Sequence, residues 1–289
     1  MRLAVDFARF TWDGGAPALG GLAAECITMA DQGGASAICA MDHFFQIPIA
    51  GEYHEPMLEG YTFLGFAAGM TTNAKLQLLV TGVTYRHPGL LAKTVTTLDV
   101  LSGGRARLGI GAAWNEQEHL GLGVPFPSTT ERFERLGETL EICEQMWGSN
   151  EGRYAGQHYQ LAETVNSPTN VSSPAPEVMI GGMGPNKTLR LAARHAGSVN
   201  WFPVGESDFM AAKGHLERHC AAINRDPATI RITLTGFLMG RPGADDFLAQ
   251  MEQYASWGVE EVFVAPVAND PRTDVEWWVE DLIPKLATI

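Results

Sequence analysis

"VMIGGMGPNKTLRLAARHAG", residues 178–197, decides the fold. Val178, Met179 and Ile180 form an apolar run without polar alternation, which predicts a strand buried on both faces. Gly181, Gly182 and Gly184 predict a tight turn, and Pro185 suits a first helical turn, so a helix is expected over 185–196. Backbone N–H groups at such a helix start face the space above it, where an anion is stabilised. The turn is therefore a phosphate cradle or simply a tight strand-to-helix connection.

The same unit repeats along the chain. Strands are expected at 3–10, 35–42, 76–83, 106–112, 197–203, 231–240 and 261–267. Helices are expected at 17–33, 58–71, 88–102, 128–148, 206–224, 244–258 and 275–286. Ser128 followed by Glu131 forms a capping-box pattern, and Gly103-Gly104 closes the helix that Pro88 opens. Doubly buried strands alternating with amphipathic helices mean a parallel sheet covered by helices. Eight repeats in 289 residues predict a (β/α)8 TIM barrel rather than a doubly wound sheet. Residues 149–176 break the rhythm with Pro168, Pro174 and Pro176. They are expected to be an insertion after helix 4, with a small hairpin around "YAGQHYQL", inside one barrel domain covering 1–289.

Bulk composition removes several functions. The net charge is -13, from 20 Lys+Arg against 33 Asp+Glu. No basic run is present, so no nucleic-acid surface is expected. The most apolar stretch, "YTFLGFAAGM", is too short to cross a bilayer. "MRLAVDFARF" lacks a signal-peptide core, and Cys26, Cys39, Cys143 and Cys220 are scattered, so a reduced, cytoplasmic protein is expected. His215 and His219 stand at i, i+4 with Cys220 beside them, but on an outer helix and without the glutamate of an H-E-x-x-H motif, so no metal site is expected.

In a TIM barrel the strand ends build the site. Strand 2 ends in "AMDHFFQIP", which puts Asp42 and His43 at the mouth; a histidine there serves as general acid or base near neutral pH. The structural alternative is that Asp42 orients the turn and His43 hydrogen-bonds it. Strand 3 ends in "LVTGVTYRHP", where small Thr81, Gly82 and Thr84 leave room for a flat ligand or mark a bulge. Arg86 and His87 are either anion contacts or solvated. Strand 4 ends in "GIGAAWNEQE". Gly109 and Gly111 permit close packing, Trp114 offers a stacking surface, and Asn115 offers an amide for a carbonyl or phosphate.

"MDHFF" (41–45), "VTGVTYRHPGLLAKTVTTLDVLSGGRARLGIGAAWNEQE" (80–118), "GVPFPSTTERFERLGETLEICEQMW" (123–147) and "MIGGMGPNKTLRLAARHAG" (179–197) together resemble the bacterial luciferase-like monooxygenase superfamily, most closely its F420-dependent oxidoreductase branch. The resemblance implies a barrel that binds coenzyme F420, or alternatively FMN, at its C-terminal face. It implies that Asp42 contacts the deazaflavin ring or its hydroxyl and that His43 lies near the position of hydride transfer. Leu79, Val80 and Thr81 would carry a non-prolyl cis peptide behind the ring. Ala112, Trp114 and Asn115 would line the ring and tail, and Gly181, Gly182 and Gly184 would receive the phosphate. Sugar-phosphate dehydrogenases of this branch pair the strand-2 histidine with a glutamate in the strand-4 loop; Trp114 stands near that position here, and neither Glu116 nor Glu118 can be placed at the ring from sequence.

The expectation is an F420-dependent oxidoreductase acting on a small organic molecule. The alternatives are an FMN-dependent monooxygenase served by a separate flavin reductase, and a non-catalytic binder of flavin or deazaflavin. Arg86, His87 and Lys187 would offset the acidic surface for an anionic cofactor. Substrate contacts are expected from loops 44–57, 149–176 and 266–272, and the resemblance implies a homodimer.

Overall fold

The computed structural model describes residues 1–240 and 243–289. In chain order its elements are β1 (Arg2–Phe7), α1 (Ala16–Gln32), β2 (Ala37–Ala40), α2 (Gly60–Ala68), β3 (Lys75–Leu78), β4 (Thr81–Gly82), α3 (Pro88–Leu101), β5 (Arg107–Gly111), α4 (Glu116–Leu122), α5 (Thr129–Trp147), β6 (Tyr154–Ala155) and β7 (Gln160–Leu161). Then follow β8 (Glu177–Gly181), α6 (Thr188–His195), β9 (Ser198–Trp201), α7 (Glu206–Ala221), β10 (Arg231–Leu238), α8 (Ala244–Ser256), β11 (Val259–Ala265), α9 (Pro271–Trp277) and α10 (Ile283–Leu286).

All pairings in the large sheet are parallel, in the order β3-β2-β1-β11-β10-β9-β8-β5-β4. β3 and β4 are two parts of one stave, interrupted at Leu79–Val80. The ring closes because β5 pairs with β4, Thr81 opposite Ile110, and because Leu76 of β3 bridges to Ala106. This is the TIM barrel expected from the alternating pattern, with the helices outside.

Several elements differ from the sequence-based expectation. The strand expected at 76–83 is broken by a cis peptide at Leu79–Val80. The helix expected at 275–286 begins earlier, at Pro271 with Asp270 as N-cap, and passes through a π-helical turn at Trp278–Leu282 before α10. α4 was not expected. It has only seven residues, but Asn115 caps its start and left-handed Gly123, φ 70°, closes it. Between α5 and β8, β6 and β7 form the small hairpin anticipated in 149–176, with Tyr154 opposite Leu161.

The barrel interior is layered. Near its N-terminal end, buried Arg107 pairs with Glu261 (3.3 Å) and Glu177 (3.6 Å). Above lie Ala4, Ala37, Cys39, Met179 and Phe263, all fully or almost fully buried. These residues fill the middle of the barrel, so the free volume lies at its C-terminal mouth.

Candidate active site

The mouth holds a cavity of about 770 Å³. His43, Leu79, Val80, Thr81, Trp114 and Gly181 are among its lining residues, along with Asp42, Ala112, Gly182 and Gly184. The structure thus brings these sequence-predicted site residues to the walls of a single cavity, but not Asn115, Thr84, Arg86, His87 or Lys187.

One wall is the interruption in the third stave. The half-buried Leu79–Val80 segment faces the cavity across a cis peptide, as the resemblance implied. Glycines make the room for it. A Cβ on Gly109 would lie 2.1 Å from the Leu78 carbonyl oxygen, and on Gly111 or Gly181 it would lie 3.1 or 3.0 Å from a Val80 methyl. Close packing is therefore the role of Gly109 and Gly111. Gly109→Ala is expected to destabilise the fold by about 3 kcal/mol through overpacking against backbone that cannot move aside. Thermal unfolding checks this; an unchanged Tm would mean that the segment is not held by its glycine contacts.

His43 does not bond Asp42. Its Nδ1 lies 2.9 Å from Oε2 of Glu118, a fully buried carboxylate on α4. Glu118 Oε2 also accepts from the Tyr85 hydroxyl at 2.6 Å, while Oε1 accepts from the backbone N–H groups of Phe44 and, at 2.9 Å, Phe45. Burial pushes the Glu118 carboxyl up, but bonds from His43, Tyr85 and Phe45 outweigh it and hold the pKa below the usual range. In the tautomer that donates Nδ1–H to Glu118, the ring carries its lone pair on Nε2. Trp114, 59% exposed, stands edge-on to the His43 ring at 5.4 Å.

Glu118 is the residue that could not be placed from sequence. Its N–H is capped by Asn115 Oδ1 at 3.3 Å. This corrects the expectation for Asn115, whose side-chain oxygen begins α4 and which is not on the cavity wall. The next residue, His119, is also buried; its Nδ1 meets the Asn115 carbonyl at 2.7 Å and its Nε2 meets Thr84 Oγ1 at 2.6 Å. The available signals were an asparagine cap, acidic residues in the first turn and a closing glycine.

Asp42 lines the cavity and is bonded by residues that follow the third stave's break. Oδ1 accepts from Arg86 at 2.9 Å; Oδ2 accepts from Arg86 at 2.7 Å and from Gly82 N–H at 2.9 Å. Burial pushes its pKa up, partly countered by Arg86. Arg86 also pairs with Glu59 at 2.6 Å and lies over the Tyr61 ring. Its charge is therefore neutralised within the protein, which removes it as an anion contact. His87 caps α3 by accepting from Gly89 N–H, and Lys187 reaches Thr130 rather than the cavity. His219 meets the Pro185 carbonyl at 2.7 Å, and His215 meets Arg218.

At the glycine turn, the helix starts three residues later than expected, at Thr188. Gly182 has φ 111°, a conformation that side chains disfavour, and a Cβ on Gly184 would lie 2.8 Å from Thr188 Oγ1. Gly182 N–H is already bonded to the Asn200 carbonyl at 2.9 Å, so it is not available to a ligand. Thr129, Arg132 and Thr188 line the cavity together with this turn. Arg132 is buried and bonds the Pro127 carbonyl at 2.7 Å and Thr129 Oγ1 at 3.3 Å. Among the described residues no carboxylate pairs with it, and its Nε has no partner. Sequence reasoning missed Arg132 because an arginine on an amphipathic helix looks solvated.

A parallel barrel whose mouth carries a histidine–carboxylate pair beside a wide cavity is the architecture of an enzyme with chemistry at its strand ends. The luciferase-like monooxygenase family model matches residues 9–278, and the chain belongs to that family. An uncharacterized protein of Mycobacterium tuberculosis is 29% identical over 233 residues, covering 80% of this chain and 77% of that protein. The F420-dependent glucose-6-phosphate dehydrogenase of Kineococcus radiotolerans is 33% identical over 148 residues, covering 50% of this chain and 42% of that one. The crystal structure of a Streptomyces bottropensis monooxygenase superposes with a TM-score of 0.82 at 17% identity, covering 98% of this chain and 99% of that chain. These relatives are oxidoreductases or monooxygenases where their names state an activity. Among the described residues no helix is long and apolar enough to cross a membrane.

Proposed function

We propose that this protein is an oxidoreductase that exchanges a hydride between coenzyme F420 and a small organic substrate. The observation that carries this reading is the His43 ring, oriented by buried Glu118 at the rim of the cavity that Leu79–Val80 borders. The F420-dependent relative supports it. The residues fit the cofactor. The Leu79–Val80 ledge offers a surface for a flat ring, and the crowded Gly182–Gly184 turn with Arg132 offers an anion-binding end.

Leu79, Val80, Thr81, Ala112 and Trp114 would border the ring, with Asp42 holding the end of the third stave in place behind it. Gly181, Gly184, Thr188 and Arg132 would hold the phosphate. Bound F420 supplies the carbon that gives or takes the hydride. His43 Nε2 accepts a proton from the substrate or returns one to it, and Glu118 keeps that lone pair on Nε2 by holding Nδ1–H. Tyr85 fixes the second bond of the same carboxylate oxygen, which limits rotation of the pair.

Titration with F420, followed by quenching of its fluorescence, tests the reading. Saturable binding to the wild type is expected, with Arg132→Gln weakening it about 10-fold through loss of a charge-assisted contact. Lys187→Gln is expected to leave affinity unchanged. FMN binding that is tighter than F420 binding would overturn the cofactor assignment in favour of a flavin monooxygenase.

A further inference from the structure

Asp6 has no role in the pairings described above. On β1 it lies between two apolar layers: Ala4 belongs to the interior cluster with Cys39 and Phe263, and Ala8 to the upper cluster with Met41, Ile47, Ala50 and Ala265. It is 7% exposed and lines the cavity. Among the described residues its Oδ1 has no hydrogen-bond partner. Among the described residues every other titratable group on the cavity wall is engaged by protein: Asp42 by Arg86, His43 and Tyr85 by Glu118, and Arg132 by the Pro127 carbonyl. A buried carboxyl without a partner opposes folding, and an apolar residue would fill the site better. Its missing partner is therefore sought in the ligand.

The rest of the chamber indicates the kind of ligand. Ile47, Ile49, Phe202, Phe237 and Leu238 line it, and Ile49 and Phe202 are more than half exposed at the mouth. Among the described residues no lysine lines it, and the one arginine that does lies with Thr129 and Thr188 near the glycine turn. A phosphorylated or heavily hydroxylated substrate would find few partners on these apolar walls.

We propose that Asp6 is the substrate-binding contact for an uncharged, largely apolar molecule that presents one carbonyl or hydroxyl oxygen, the atom adjacent to the carbon that exchanges hydride. This rests on the hydride-transfer reading, which assigns the glycine turn and Arg132 to the cofactor. Burial raises the Asp6 carboxyl to about 7, so below that pH its O–H donates to the carbonyl oxygen, and equally to the hydroxyl oxygen, whose own proton is left for His43 Nε2. That suits the two oxidation levels of one carbon–oxygen pair.

The test uses cofactor-free full-length protein and two neutral fluorophores. The first is 6-propionyl-2-(dimethylamino)naphthalene, a ketone; the second is 2-(dimethylamino)naphthalene, which lacks the carbonyl. At pH 6 the ketone is expected to bind wild type at least fivefold more tightly than Asp6→Leu, and Asp6→Asn, whose amide still donates, within about twofold of wild type. The bound ketone should emit at shorter wavelength in Asp6→Leu, because its oxygen has lost a donor. The carbonyl-free probe should bind both proteins alike. Equal ketone affinity in wild type and Asp6→Leu, or an equal loss for both probes, overturns the proposal. Asp6→Ala repeats the comparison if leucine is not accommodated. F420 affinity should be unchanged in Asp6→Leu; a tenfold loss would give Asp6 to the cofactor and overturn the substrate assignment. If wild type fails to bind F420 while the ketone still depends on Asp6, the cofactor reading falls and the Asp6 contact stands.

Discussion

Glu118→Gln is expected to lower turnover about 100-fold while leaving F420 affinity within about twofold, the range for a misdirected general acid–base group. The carboxylate accepts from four donors, and glutamine has one oxygen. The two backbone N–H groups of Phe44 and Phe45 retain that oxygen, which turns the amide NH2 toward His43 Nδ1 and the Tyr85 hydroxyl. His43 must then accept at Nδ1 and carry its proton on Nε2, the wrong tautomer for accepting a proton from substrate. His43→Ala is expected to lose turnover about as severely, with cofactor binding retained. In the double variant the two losses should not add, because Glu118 acts only through His43. The split between kcat and KM separates this from simple loosening of the fold: kcat should fall in Glu118→Gln while KM holds. A matching rise in KM, or losses that add, would remove Glu118 as the positioning group.

Asp6→Asn is expected to be stabilised relative to wild type as pH rises from 4 to 8. In the folded protein burial raises the Asp6 carboxyl from 3.8 to about 7, with no opposing charge. The facing groups are the Cys39 thiol on β2 and uncharged Phe263 and Ala265 on β11. The folded state therefore holds a proton that the unfolded chain releases above pH 4. Wild-type stability attributable to Asp6 is full below that pH, falls as pH rises through 7, and stays low beyond. At about 1.4 kcal/mol per pH unit, the accumulated difference is of order 3–4 kcal/mol. Denaturant unfolding of both proteins at pH 4.5, 6 and 8 measures it, since the difference between them removes the titrations they share. A constant difference across that range would mean that Asp6 ionises freely in the folded state.

The barrel was legible because doubly buried strands and amphipathic helices leave local periodicities that survive in any context. The break at Leu79–Val80 was legible only through resemblance, since residues 76–83 read locally as one strand. The partner of His43 was not legible. Glu118 looked like one acid in an acidic loop, and its carboxylate acquires meaning only when α4 carries it onto the loop after β2, 75 residues away in sequence. Arg86 shows the reverse. An arginine at a barrel mouth suggests an anion site, until Asp42 and Glu59 are found to neutralise it.

Periodic burial and backbone capability are properties of short segments, so the barrel, its cavity-lining strand ends and the glycine turn were settled along the chain itself. Charge pairing is a property of distance in space. Which acid orients His43, which arginine is left without a carboxylate and which carboxyl faces the cavity without a partner depended on side chains brought within 3 Å or kept apart by the closed sheet.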